Sequence, residues 1–305
     1  MIRLPIHPES GQQSGQAAGP RSGQQSGPRS GESEGQHAGQ HAGEPTGGDS
    51  PGVEATRSAE APRGSPDSLV ISETFSSVQG EGSLTGVPSF FIRVSGCNLR
   101  CAWCDTPYAS WKPEGTTRRV AELIDDAGRS GVRHAVVTGG EPMLFEAIEP
   151  LCAGLRERGI HVTIETAGTV FRRVACDLMS ISPKLANSTP TQERAGAWAA
   201  RHEERRINVP VLRALVDAYP DRQLKFVVMD PAGRGDSGEA ADLAEIEALV
   251  SELDGVRPEQ IMLMPEGVVS PRAEFKQWVA RACVERGWRY CGRLHIEIFG
   301  NKRGT

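Results

Sequence analysis

Apolar and polar positions change rhythm sharply along this chain. Before residue 69 there is almost no rhythm: no Phe, Trp or Tyr occurs, and between Pro8 and Asp67 the only large aliphatic is Val53. Short units recur there instead, SGQQSG at 10–15 and 22–27, GPRSG at 19–23 and 27–31, and GQHAG at 35–39 and 39–43. Such a stretch cannot bury enough apolar surface to offset the entropy of ordering it, so residues 1–68 are expected to be a disordered, Gly/Gln/Ser-rich tail.

From Leu69 to Thr305, buried-strand runs alternate with helical periodicity. Leu69-Val70-Ile71 opens the series, and a turn-rich QGEGSLTG stretch (79–86) precedes the apolar strand SFFIRVSG (89–96). HAVVTGG (134–140), HVTIET (161–166), DLMSIS (177–182), QLKFVVM (223–229) and QIMLMP (260–265) read as further strands, and LHIEIF (294–299) as a last one. Between them, Val120, Leu123, Ile124 and Ala127 fall on one helical face, with Thr116 or Thr117 as its cap. Leu144, Ile148, Leu151 and Leu155 mark a second helix, Leu243, Ile246, Val250 and Leu253 another, and residues 271–286 a further one. The charged ARHEERRINVP stretch (200–210) reads as a solvated helix or linker.

Strands separated by helices require crossover connections and a mostly parallel sheet. The pattern therefore predicts an α/β fold, a partial (β/α)6-type TIM-like barrel, with residues 69–305 as one catalytic domain and an open doubly wound sheet as the alternative. In such folds ligands bind at the carboxyl ends of strands. Here those ends carry Cys97, the Thr138-Gly139-Gly140-Glu141 turn, Glu165-Thr166 and Ser182-Pro183-Lys184.

Composition narrows the class. The net charge of −5 offers no basic stripe for nucleic acid. No run of 18 apolar residues is present to span a membrane, and the start lacks a secretory apolar core. Seven cysteines, three of them within eight residues, do not resemble a disulfide framework and fit a reducing, cytoplasmic setting.

GCNLRCAWCD (96–105) spells C-x3-C-x2-C with Cys97, Cys101 and Cys104. Three thiolates this close can hold three corners of one iron–sulfur cubane. Electron-transfer clusters and structural zinc sites normally take four protein ligands. Cys152, Cys176, Cys283 and Cys291 lie far along the chain and read as buried small hydrophobes. A missing fourth ligand leaves one iron open to a substrate or cofactor.

C-x3-C-x2-C after a strand, followed by Gly-Gly-Glu-Pro at 139–142, resembles the radical S-adenosylmethionine (SAM) superfamily. More narrowly, SVQGEGSLTGVPSFFIRVSGCNLRCAWCDTPYA, TGGEP, IETAGT, SPKLANS, LKFVV and LHIEIFGNKRG resemble the 7-carboxy-7-deazaguanine synthase family of queuosine biosynthesis. The resemblance begins near Leu69, so the tail lies outside it, and the 200–210 segment is an insertion-like departure.

The resemblance implies a lyase that holds a [4Fe–4S] cluster on Cys97, Cys101 and Cys104 and chelates SAM on the open iron. A 5′-deoxyadenosyl radical would remove hydrogen from 6-carboxy-5,6,7,8-tetrahydropterin, whose ring contracts with loss of ammonia. It further implies SAM contacts from Trp103, Cys104, Asp105, Gly140, Ser182, Pro183, Lys184, Met264, Pro265 and Glu266. Substrate contacts would be Val78, Gln79, Gly80, Arg93, Thr138 and His295, and Thr106 would coordinate Mg²⁺. Gly139 and Gly140 are expected to leave room for the methionyl amino group. Arg93, inside an apolar strand, calls for an anion, either the substrate carboxylate or a structural salt bridge. Glu165 either touches ligand or holds the site together. No separate catalytic side chain is implied, since cluster and SAM carry the chemistry. A homodimer and a one-electron donor such as flavodoxin or ferredoxin complete the expectation. The competing enzyme class is a glycyl-radical-enzyme activating protein, and the non-enzymatic one an electron-transfer or zinc module.

Overall fold

The computed structural model describes residues 65–233 and 236–305; the low-complexity stretch expected to be disordered lies outside the described residues up to Gly64. The strands are β1 (Ser68–Val78), β2 (Pro88–Val94), β3 (Thr116–Arg119), β4 (His134–Gly139), β5 (His161–Thr166), β6 (Leu178–Ile181), β7 (Arg222–Val228), β8 (Ile261–Pro265) and β9 (Arg289–Tyr290). The helices are α1 (Val120–Arg129), α2 (Ile148–Glu157), α3 (Gln192–Ala195), α4 (Ala197–Arg205), α5 (Val209–Ala218), α6 (Asp236–Ser251), α7 (Ala273–Arg286) and α8 (Leu294–Phe299).

All strands join one sheet in the order β3-β1-β2-β4-β5-β6-β7-β8-β9. β1 pairs antiparallel with both β2 and β3, whereas every pair from β2 through β9 is parallel. This is the partial α/β barrel that the alternation predicts. Among the described residues no helix is long and apolar enough to cross a membrane.

Period-2 alternation divides the sheet into two faces. Phe90, Ile92 and Val94 of β2, Val162 and Ile164 of β5, Leu224, Phe226 and Val228 of β7 and Ile261 and Leu263 of β8 share one core with Leu123, Leu151, Leu155, Ile246 and Val279 of the helices. Each such fully buried side chain contributes about 1.5–3 kcal/mol relative to exposure. The residues between them point the other way, and many are polar: Glu73, Arg93, Thr138, Thr163, Glu165, Ser180, Gln223 and Lys225. On that face Val227, Met262, Met264 and Cys291 form a small separate apolar cluster against Trp103.

Three sequence expectations are corrected. Thr116 and Thr117 do not cap α1; they lie in β3, paired with Ile71 and Val70, and Glu122 caps instead by accepting from Arg119 N (3.3 Å). LHIEIF is not a strand but helix α8, since six residues with only Ile296 buried suit one helical turn as well as a strand. The 200–210 stretch is two helices meeting at Asn208, whose side chain accepts from Val211 N (3.3 Å), and it is not fully solvated because His202 is 0% exposed.

Candidate active site

The loop after β2 carries the three cysteines, and its path is set by close packing. Gly96 lies at φ 117, in the left-handed half of the map, and its N–H donates to Ala109 O (2.8 Å). Gly140, at the end of β4, sits so close that a Cβ there would fall 2.1 Å from Gly96 O and 2.7 Å from Ala109 O. Gly139 is similarly pressed on Val94. The two glycines are therefore required by close packing against Val94, Gly96 and Ala109.

Glu141, which follows Gly140, is fully buried and accepts from Met143 N (3.0 Å), Thr166 Oγ1 (2.8 Å) and Ala167 N (2.7 Å). Burial pushes its carboxyl up, against the pull of these donors. It ties the end of β4 to the end of β5, a role the sequence reading left unassigned.

Cys97, Cys101 and Cys104 are free thiols on one loop, Cys101 buried and the others half-buried. Leu99 N donates to Cys97 Sγ (3.4 Å), and Ser110 Oγ lies 3.1 Å from Cys104 Sγ. Burial and the neighbouring thiols push Cys97 far up, and burial lifts Cys101 to about 12, with Lys184 opposing. Thiols so placed ionise when a bound cation supplies the compensating charge. Three sulfur donors on one loop, one of them receiving a backbone hydrogen bond, fit an iron–sulfur cluster. Among the described residues no three His, Cys, Asp or Glu side chains are arranged to hold a single metal ion.

The remaining expected SAM residues surround this loop. Trp103 Nε1 donates to Asn187 Oδ1 (3.1 Å), and Asn187 Nδ2 bonds Val227 O and Asp242 Oδ2 (both 3.0 Å). Lys184 Nζ lies 5.8 Å over the Trp103 ring and donates to Ser182 O and Oγ (both 2.7 Å). Pro183, Met264 and Pro265 are buried at strand ends, and Glu266 N bonds Val228 O (2.9 Å). Burial pushes the Glu266 carboxyl up. Thr106 Oγ1 lies 3.8 Å from Cys104 Sγ.

The polar strand ends form two connected groups. In the first, Arg93 stands in register between Glu73 of β1 and Thr138 of β4. Arg93 Nε meets Glu73 Oε1 at 2.7 Å, and Tyr108 Oη donates to the same oxygen (2.8 Å). The salt bridge that the sequence left as an alternative is thus present, through Nε of the guanidinium. In the second, buried Lys225 pairs with Glu81 and, at 3.4 Å, with Glu165. Gln79 Nε2 donates to Glu165 Oε1 (3.1 Å), and Arg293 joins Glu81 (3.1 Å) to Asp105. Burial pushes Glu81 up, but Lys225 and Arg293 outweigh it and hold the carboxyl far below its usual range. Val78 ends β1, just before this group. Gly80 presses on His295: a Cβ would lie 1.9 Å from its Nδ1, and Gly80 O accepts from Leu294 N (2.9 Å). Burial lowers the His295 pKa, with Glu81 opposing.

Lys225 and Arg293 are missed by the sequence reading, although Lys225 sits as a lone charge inside QLKFVVM. Their ion-pair partners are between 60 and 212 residues away, so no local spacing signals them.

A partial α/β barrel with C-x3-C-x2-C at the end of a strand defines a radical SAM enzyme. Residues 91–206 match the Radical SAM superfamily model. The chain is 47% identical over 257 residues to 7-carboxy-7-deazaguanine synthase of Rhodopirellula baltica, covering 83% of this chain and 96% of that protein. It is 42% identical to the enzyme of the same name from Halobacterium salinarum, covering 84% of this chain and all of that one. Among solved structures it resembles QueE from Escherichia coli, with TM-score 0.53 and 27% identity over 75% of this chain and 95% of that one. The chain belongs to the 7-carboxy-7-deazaguanine synthase family.

Proposed function

We propose that the protein converts 6-carboxy-5,6,7,8-tetrahydropterin to 7-carboxy-7-deazaguanine with loss of ammonia, in the 7-deazapurine route to queuosine. The observation that carries the reading is the chain Asp105–Arg293–Glu81–Lys225–Glu165–Gln79, buried at Lys225 and Gln79, which links the cysteine loop to a set of alternating donors and acceptors. Such a set suits the edges of a small polar heterocycle better than the backbone of a partner protein, which argues against a glycyl-radical-enzyme activating protein.

Cys97, Cys101 and Cys104 would hold the [4Fe–4S] cluster, which together with SAM supplies the initiating radical when both are bound. The chain's own residues bind, orient and exclude water. Trp103, Cys104, Asp105 and Gly140 would border SAM on the loop side, and Ser182, Pro183, Lys184, Met264, Pro265 and Glu266 on the strand-end side. Arg93, steadied at Nε by Glu73, keeps its two terminal nitrogens for the substrate carboxylate. Val78, Gln79, Gly80, Thr138 and His295 would complete the substrate face. Thr106 would offer Mg²⁺ one hydroxyl among water and substrate oxygens, as suits an ion that keeps much of its hydration. The electron donor would be a flavodoxin or ferredoxin, the assembly a homodimer and the compartment the cytoplasm, with residues 1–68 a tail outside the catalytic domain 69–305.

The test is anaerobic reconstitution with iron and sulfide, then incubation with SAM, Mg²⁺, a reductant and the carboxytetrahydropterin. 7-Carboxy-7-deazaguanine is expected; 5′-deoxyadenosine without it would sink the substrate assignment. Cys101→Ala should lose the cluster absorbance, and full absorbance and activity in that variant would exclude the ligand set.

A further inference from the structure

The charged segment around α3 and α4 reaches the cysteine loop through its buried side. Between Cys97 and Cys104 the loop backbone is held by Ser188 and by two side chains of this segment. Arg100 N–H donates to His202 Nδ1 (3.0 Å), Ala102 N–H to Ser188 O (2.8 Å), and Arg194 Nη1 to Ala102 O (2.5 Å). Two stacked contacts reinforce the grip. The Arg100 guanidinium lies 4.0 Å from the Trp198 ring centroid, and that of Arg194 lies 4.5 Å from the Trp111 ring, whose Nε1 donates to Cys101 O (3.0 Å).

His202 is the buried member of this set, at 0% exposure. Its Nδ1 faces a backbone N–H and can only accept, so the ring hydrogen belongs on Nε2. Nε2 faces Ser188 Oγ at 2.9 Å, and Ser188 Oγ donates to Leu185 O (2.6 Å). The donors thus run in one direction, from the loop backbone through His202 and Ser188 to Leu185, the residue after Lys184. Without the imidazole, the buried Arg100 N–H has no partner on this path, a costly arrangement that the loop would relieve by moving.

We propose that His202 is a positioning residue for the cluster, fixing the Cys97–Cys101 loop backbone in register with the Ser182–Lys184 strand end. The inference rests on the family reading only in taking Cys97, Cys101 and Cys104 as the cluster ligands. Partners that orient a metal site from behind its ligands typically change metal affinity about 10- to 100-fold when removed.

The experiment compares anaerobically reconstituted full-length wild type with His202→Ala, His202→Gln and His134→Ala. His134 is the control: it is also buried and bonded at both ring nitrogens, to Ser89 (2.7 Å) and Thr163 (2.8 Å), but it starts β4, at the strand end away from the loop. The readouts are the rate of cluster loss to a ferrous chelator, the electron paramagnetic resonance spectrum of the reduced cluster with and without SAM, and the melting temperature. His202→Ala should lose its cluster about tenfold faster and show an altered SAM-induced spectrum. His202→Gln, whose amide offers one acceptor and one donor, should restore most of the difference. His134→Ala should melt lower yet lose its cluster at the wild-type rate. A wild-type rate in His202→Ala, or equal acceleration in His134→Ala, overturns the proposal. If His202→Ala does not fold, Arg194→Ala at the exposed rim decides: faster loss supports the clamp, an unchanged rate overturns it. A wild type that takes up no cluster removes the cysteine ligand set and the proposal with it.

Discussion

Glu73 and Arg93 face each other across the antiparallel pair β1 and β2, with Oε1 and Nε 2.7 Å apart and side chains 11% and 16% exposed. The contact takes the Nε side of the guanidinium; its two terminal nitrogens are the ones proposed to hold the substrate carboxylate. Burial opposes the Arg93 charge, and Tyr108 and Glu73 more than restore it.

Glu73→Gln should therefore act through Arg93. The expected result is a kcat/KM lowered about tenfold or more, most of it in KM for the pterin, with SAM cleavage in the absence of substrate unchanged. Arg93→Lys should recover little, because an ammonium cannot keep Glu73 and grip a carboxylate with two parallel hydrogen bonds. Steady-state kinetics with both products quantified would check this; a normal KM in Arg93→Lys would contradict it.

Gly140→Ala tests the backbone packing. Its methyl would fall 2.1 Å from Gly96 O, so the cysteine loop or the end of β4 must move. Iron content after reconstitution should drop several-fold while the helical circular dichroism is kept. Gly86→Ala, with nothing within 4 Å of its Cβ position but a φ of 90, should cost stability without affecting iron.

Lys225→Met should be severe. It leaves Glu81 and Glu165 buried near each other without the cation between them, and breaking such a pair costs about 3–5 kcal/mol. Adding Glu81→Gln to that variant should recover part of the loss, which a double-mutant cycle by urea unfolding measures. Simple additivity would mean Lys225 and Glu81 do not act together.

The pH dependence of apoprotein stability has a predictable sign at His134. Burial, with His161 beside it, lowers its pKa from 6.5 to about 4. Between those values the unfolded chain binds the proton and the folded chain does not. Stability supplied by the neutral ring is complete above pH 6.5, falls as the pH drops through that window, and changes no further below about 4. Unfolding curves across this range should be steeper in pH for wild type than for His134→Gln, whose amide has nothing to titrate.

Local order determined what the sequence could reveal by itself. Three cysteines within eight residues must share one loop whatever the fold, so an open iron–sulfur site was legible before any strand was placed. Strand and helix periodicities were legible for the same reason, since each is set by neighbours within a turn or two. Only the tertiary structure decided the rest. The apolar LHIEIF run suits strand or helix equally, and β9 with the Gly80–Leu294 contact selects the helix. Thr116 and Thr117 look like a helix cap until β1 offers them ladder partners. Nothing local at glycines 139 and 140 announces the Val94, Gly96 and Ala109 atoms that stand where their Cβ atoms would be. His202, in a run of charges, becomes buried only because Arg100 and Ser188, 102 and 14 residues away, close on its two nitrogens. Periodicity reports which side of an element is apolar, but a buried polar group is satisfied by partners that only the folded chain brings within hydrogen-bonding distance.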